Sequence, residues 1–280
     1  ARTVMAGAGQ AKHRVFSGEV TPAELSAVFP AIRGAFEPQV VRYSNTNPHI
    51  AAEDGSHGEG VEWKVSCYMD LADDGGAMQK HVRPSAALRE ACAPLLERCD
   101  DVFARWYTEL HGAGAVKKLV RLQSFVTRYR PRPQESGLLR HVDGVNVDGS
   151  LILALTGETG TGAPIDVPFS GGGITVWEGQ PEVARVYPMR PGDMCALDNC
   201  VWHQGNPITA GERWALVIFY SVGKPKAHRL ARMVLKGAEQ IKAQRLAESA
   251  PQRRPWLRPM DVAMWTVVAL NALYAYHRAR

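Results

Sequence analysis

Cysteine is scarce in this chain of 280 residues, and the five present, Cys67, Cys92, Cys99, Cys195 and Cys200, are scattered without a CxxC pair. That excludes a disulfide scaffold and gives no thiolate zinc spacing, with a mild preference for a reducing compartment. Long apolar runs are missing too. Residues 1 to 20 lack the apolar stretch of a secretory signal. The first residue is Ala1 rather than Met, which leaves room for an upstream segment. Val262 to Tyr276 falls short of the ~20 residues that span a bilayer and contains Thr266 and Asn271. Net positive charge is also absent from most of the chain. Residues 224–280 hold 12 Lys/Arg against three acids, a net +9, so the overall +5 leaves residues 1–223 at −4. A nucleic-acid groove needs clustered positive charge, which that larger part lacks.

What remains is ordinary globular material, 45% hydrophobic and 22% charged, enough for a substantial core. Thr21-Pro22-Ala23-Glu24 is a capping box with proline at the first helical position, predicting a helix through about Phe36. Asn45 to Gly60 has loop composition, and Val61 to Met69 alternates like a strand. Leu88, Cys92, Leu95, Leu96, Cys99, Phe103 and Trp106 recur at helical spacing within Ser85 to Leu110. After Gly114 the chain turns to short β-like runs split by Gly, Pro and Asn. They are Leu119 to Tyr129, Leu138 to His141, Ser150 to Leu155, Ile174 to Trp177, Val183 to Tyr187, Met194 to Leu197 and Trp214 to Val222. Helices first and then many short strands predict an α+β chain whose core is an all-β sandwich or jelly roll. Leu230 to Leu246 returns to a basic helical pattern, and no internal repeat is visible.

His141-Val142-Asp143, followed by His203 and Arg213, carries the chemistry. Residues i and i+2 of a strand point to one face, so His141 and Asp143 can reach one metal. His203, from a facing strand, completes two imidazoles and one carboxylate. That set holds one face of an Fe(II) octahedron and leaves the other positions open. A guanidinium at 213 suits the far carboxylate of a chelating 2-oxo acid.

These residues resemble the Fe(II)/2-oxoglutarate dioxygenases, and within them the prolyl 4-hydroxylase-like branch. The resemblance covers about Leu119 to Val222. It rests on Tyr129, His141-Val142-Asp143, Gly172 to Trp177, Val186-Tyr187-Pro188, Pro191-Gly192-Asp193, Trp202 to Gly205 and Gly211 to Trp214. It implies a double-stranded β-helix core at about 115–223 inside a dioxygenase domain at 21–223. N-terminal helices support that core, a flexible leader at 1–20 precedes the domain, and a basic helical tail at 224–280 follows it. It implies that His141, Asp143 and His203 bind Fe(II). Arg213 would salt-bridge the distal carboxylate of 2-oxoglutarate with Tyr129 as second partner, O₂ would be cosubstrate, and ascorbate would serve as reductant. The implied reaction couples decarboxylation of 2-oxoglutarate to succinate and CO₂ with hydroxylation of an unactivated C–H bond. Leu138 stands where the branch has an aromatic, Arg213 where collagen-type members have lysine, and Gly157 to Phe169 reads as an insertion. Prolyl specificity therefore does not follow.

Several groups keep two readings. Arg128, Arg130, Arg132 and Arg140 are either solvated strand ends or selectors of an anionic substrate. Trp177 reads as core, with a substrate contact as the alternative. His49, Asp54, His57 and Glu59 read as a solvated loop. Residues 259–280 either dock on protein or meet a membrane surface. Function divides correspondingly: a hydroxylase of peptidyl proline, an oxygenase of a free amino acid or metabolite, or a silent metal-binding or membrane-tethered scaffold.

Overall fold

The computed structural model describes residues 11–38, 64–71, 82–131, 140–143, 147–157, 168–179, 182–199 and 201–223. The chain divides into two units, Ala1–Gly223 and Lys224–Arg280, and the second lies outside the described residues. So do the loop at 45–60 with its His/acid cluster, Arg132, Leu138, Cys200 and most of the 157–169 insertion. Among the described residues no helix is long and apolar enough to cross a membrane.

Thirteen elements are seen among the described residues. They are β1 (His13–Phe16), α1 (Pro22–Gly34), β2 (Lys64–Leu71), α2 (Ala86–His111), β3 (Val120–Tyr129), β4 (Gly149–Ala154), β5 (Phe169–Gly171), β6 (Ile174–Glu178), β7 (Val183–Tyr187), β8 (Met194–Asp198), β9 (Trp202–Gly205), β10 (Ile208–Gly211) and β11 (Arg213–Ser221). Six strands form one sheet in the order β1-β8-β4-β11-β3-β2, three form a second as β7-β6-β9, and β10 pairs β5. All pairings are antiparallel. The crossovers between two facing antiparallel sheets make a jelly roll.

Alternation divides the large sheet into two faces. Leu151, Leu153, Met194, Ala196, Val126, Leu216, Ile218 and Tyr220 pack against α1 and α2 in the main core. The intervening residues Ile152, Cys195 and Leu197 face Ile174, Val176 and Val201 of the smaller sheet. Local chemistry sets the helices. The Thr21 hydroxyl accepts from Glu24 N at 3.2 Å while Glu24 accepts from Thr21 N at 2.7 Å, closing the capping box. Ser85 caps α2 and Gly112 ends it. On α2, Phe103 stacks on Tyr220 of β11 with centroids 4.2 Å apart, and on α1 Phe29 meets Trp214 edge-on at 5.6 Å.

The expected leader needs correction at its end. His13–Phe16 is a strand of the large sheet, paired with β8 from His13↔Leu197 to Phe16↔Met194. Four residues with a histidine facing inward carry no apolar alternation to read. The His13 ring is held by Glu178 at 2.8 Å and by the Tyr187 hydroxyl at 2.7 Å, partners distant in sequence. The expected strand at 138–141 is also reduced: within its described part, His141 makes an isolated bridge to His203.

Candidate metal centre

His141, Asp143 and His203 converge, with their ligand atoms within 4.8 Å of one another. Each reaches the centre by a different device. His141 exchanges two backbone hydrogen bonds with His203, both 2.9 Å, which locks the short ligand segment to β9. His203 is inward-facing on β9 opposite buried Val176. Its Nδ1 lies 3.1 Å from the Val201 carbonyl, so the tautomer that donates there leaves the Nε2 lone pair for a metal. Asp143 Oδ2 accepts a short hydrogen bond from the Ser150 hydroxyl of β4. That bond turns Oδ1 toward His203 Nε2, 3.7 Å away.

The donor set fits a divalent iron. Metal–ligand bonds of about 2.1 Å would put neighbouring donors roughly 3 Å apart, so donors now up to 4.8 Å apart would each need to move inward by up to about 0.9 Å. Cys195 is no competing ligand. It sits in the apolar cluster between the sheets, where burial, reinforced by the charges of Glu178 and Asp143, pushes its thiol well above its ordinary range.

Arg213 is the second half of the site. It is 5% exposed, at the start of β11 directly opposite Tyr129 of β3, so both side chains project to the same face. Its Nη1 donates to the Gly173 carbonyl at 2.9 Å, and its guanidinium carbon lies 5.6 Å from the Tyr129 ring centre. Among the described residues no carboxylate pairs with it. Burial lowers its pKa, opposed only by the Tyr129 side chain. Gly173 makes this geometry available. Its φ is +86°, and a Cβ there would meet the Tyr187 carbonyl oxygen at 2.3 Å, so glycine is required where the backbone turns its carbonyl to Arg213.

Arg128, Trp177 and Arg140, for which a substrate contact is one of two readings, lie on the outer faces of the sheets. Arg128 is opposite Trp214, one residue from Tyr129 and Arg213, and so lies on the α1 face of the sheet; its guanidinium carbon is 5.9 Å from the Trp214 ring centre. Trp177 pairs with Trp202 next to the inward pair Val176 and His203, which puts both indoles on the outer face of the smaller sheet. Arg140 lies over these two rings, at 4.7 and 5.1 Å. The reason is alternation: each of the three neighbours an inward-facing residue. Arg130 is paired with Glu212 at 2.7 Å. Ser150 and the carbonyls of Val201 and Gly173 are supporting groups that no sequence motif singled out, although Gly172-Gly173 marked the right turn.

No family model matches the sequence, and no curated protein matches it. Solved structures do. The chain is similar to a 2OG-Fe(II) oxygenase family oxidoreductase from Burkholderia pseudomallei at 17% identity and TM-score 0.50, over 76% of this chain and 86% of that one. It is also similar to a Pseudomonas putida prolyl-4-hydroxylase at 12% identity and TM-score 0.45, over 76% and 94%. A prolyl hydroxylase from Trichoplax adhaerens, in complex with a hypoxia inducible factor peptide fragment, follows at 14% identity and 0.43, over 75% and 84%. The likeness rests on the first of these. The chain has the fold of the 2OG-Fe(II) oxygenases.

Proposed function

We propose that this protein is an Fe(II)- and 2-oxoglutarate-dependent dioxygenase that hydroxylates an unactivated C–H bond. The observation that carries the reading is a buried guanidinium with no ion-pair partner among the described residues, on the same face of the large sheet as Ser150, the hydrogen-bond partner of Asp143 in the His/Asp/His cluster. Leaving a charge unpaired in a dry interior is costly. A fold that maintains one is built for an anion that comes and goes. A pure metal binder or scaffold has no use for it.

His141, Asp143 and His203 would hold iron on one face, and Arg213 would hold the distal carboxylate of 2-oxoglutarate in a bidentate pair. Tyr129, alongside Arg213, would be the second cosubstrate partner. When bound, iron and 2-oxoglutarate supply the oxidising power, consuming O₂ and releasing succinate and CO₂ as one oxygen atom enters the substrate. The residues of this chain do the rest. Ser150 and the Val201 carbonyl keep the ligands aimed, and Ile152, Ile174, Val176 and Cys195 keep the interior dry.

Among substrates we favour peptidyl proline over a free anionic metabolite. The case for a metabolite drew on an arginine cluster, and Arg128 and Arg140 face away from the centre while Arg130 has its own acid. The test is succinate release from 2-oxoglutarate by anaerobically Fe(II)-loaded protein, started with air and with ascorbate present. Proline-rich peptides and free amino acids are compared beside Asp143→Ala and Arg213→Ala. Turnover lost in both variants and stimulated by peptides is expected. A well-loaded wild type that releases no succinate with any substrate would refute the activity.

A further inference from the structure

Resting on the iron-centre reading, we infer that Arg140 is a positioning residue for the iron ligand His141, clamped for that purpose on the outside of the smaller sheet. The described residues of the ligand segment, 140–143, lie outside any regular strand. Three of the described contacts anchor them. The first is the pair of 2.9 Å backbone bonds between His141 and His203, and the second is the hydrogen bond from Ser150 to Asp143. The third is Arg140. Its guanidinium lies across Trp177 of β6 and Trp202 of β9, 4.7 and 5.1 Å from the ring centres, and its Nη2 donates to the Glu182 carboxylate at the approach to β7.

The arrangement links one side chain to β6, to β9 and to the residue that precedes β7. Trp177 and Trp202 are direct partners across β6 and β9, and each adjoins an inward residue, Val176 and the ligand His203. Residue 140 therefore grips the outer face at the same level at which residue 141 presents its imidazole to the inner face. A planar guanidinium suits this place because it stacks on two indoles and donates in its own plane to an acid, which an ammonium cannot do. An ordinary exposed ion pair contributes little. Here the side chain is about one-third exposed, and two aromatic rings fix it in addition to the acid. Without it, His141 keeps its backbone bonds to β9 but loses the restraint on its approach. Groups that orient metal ligands typically change metal affinity by about 10- to 100-fold when removed.

The experiment uses the full chain and Co(II), a divalent probe whose visible absorption reports ligand geometry. Co(II) is titrated without 2-oxoglutarate into wild type, Arg140→Ala, Arg140→Met, Arg140→Lys and, as control, Asp143→Ala. Arg140→Met keeps an unbranched stem over the rings, so it reports on the guanidinium if the alanine variant does not fold. The expected result is folded Arg140 variants that bind Co(II) about 10- to 100-fold more weakly, with an altered absorption spectrum and partial recovery in Arg140→Lys. Lower melting temperature with wild-type Co(II) affinity and spectrum would make Arg140 merely structural and overturn the inference. A wild type that binds Co(II) no better than Asp143→Ala would instead refute the iron-centre reading beneath it.

Discussion

Replacing Arg213 by methionine separates a residue kept for a ligand from a residue kept for the fold, because the two roles predict different signs. Arg213 is 5% exposed, and among the described residues its guanidinium makes one hydrogen bond, to the Gly173 carbonyl at 2.9 Å. It also lies beside the Tyr129 ring. A hydrogen bond from a charged donor contributes about 1.5–3 kcal/mol, and a desolvated cation over an aromatic ring about 2. Against these stands an effective desolvation penalty of several kcal/mol for a buried ion without a counterion. The terms roughly cancel. Methionine, of similar length and apolar, should change ligand-free stability by less than about 1.5 kcal/mol in either direction.

The bound state is different. Truncating one member of a buried, hydrogen-bonded charge pair costs about 2–5 kcal/mol. At about 1.4 kcal/mol per factor of ten, a central value near 3 weakens 2-oxoglutarate by on the order of 150-fold. Urea midpoints of the metal-free proteins give the first quantity. Titration calorimetry of 2-oxoglutarate into Co(II)-loaded protein under argon gives the second, with Arg213→Lys expected between the two because it offers one point of charge instead of a fork. The reasoning fails if Arg213→Met binds 2-oxoglutarate within about threefold of wild type. It fails equally if the variant loses more than about 3 kcal/mol without ligand, since Arg213 would then belong to the fold.

Three further outcomes follow from the same structure. Ser150→Ala removes the donor that turns Asp143 and should weaken Co(II) by about 10- to 100-fold while leaving the melting temperature of the metal-free protein within a few degrees. Gly173→Ala puts a Cβ 2.3 Å from the Tyr187 carbonyl at φ +86°, so it should destabilise by about 2 kcal/mol or more in urea unfolding and also displace the acceptor of Arg213. Stability should fall above pH 9. Burial pushes Cys92 from 9.0 up to about 12 and Cys99 and Cys195 still higher, so the folded protein keeps protons that the unfolded chain releases. More protons bound in the native state means that ΔG of unfolding declines with pH, by about 1.4 kcal/mol per thiol per pH unit between roughly 9 and 12. Urea midpoints at pH 8, 9 and 10 test this, and a flat profile would show that these thiols ionise within the fold.

The site was legible where chemistry demands a fixed spacing and obscure where a side chain merely shares its neighbourhood. His141 and Asp143 stand out because two donors at i and i+2 must share a face, and His203 because a third donor must come from a facing strand. The long helix and most core strands declared themselves through alternation and caps; β5 and β10, at three and four residues, are too short to carry a pattern. The strand β1 escaped for a different reason, since its inward histidine finds Glu178 and Tyr187 only in three dimensions. For Arg128, Arg140 and Trp177, closeness in sequence to a ligand does not decide which face of a β sheet the side chain joins. A residue next to an inward-facing one must face outward, so the arginine touching His141 in sequence is the one that cannot share its cavity. That same rule gives Arg140 its place. A side chain barred from the inner face is free to hold the outer one, and so to act on the metal through the backbone of its neighbour.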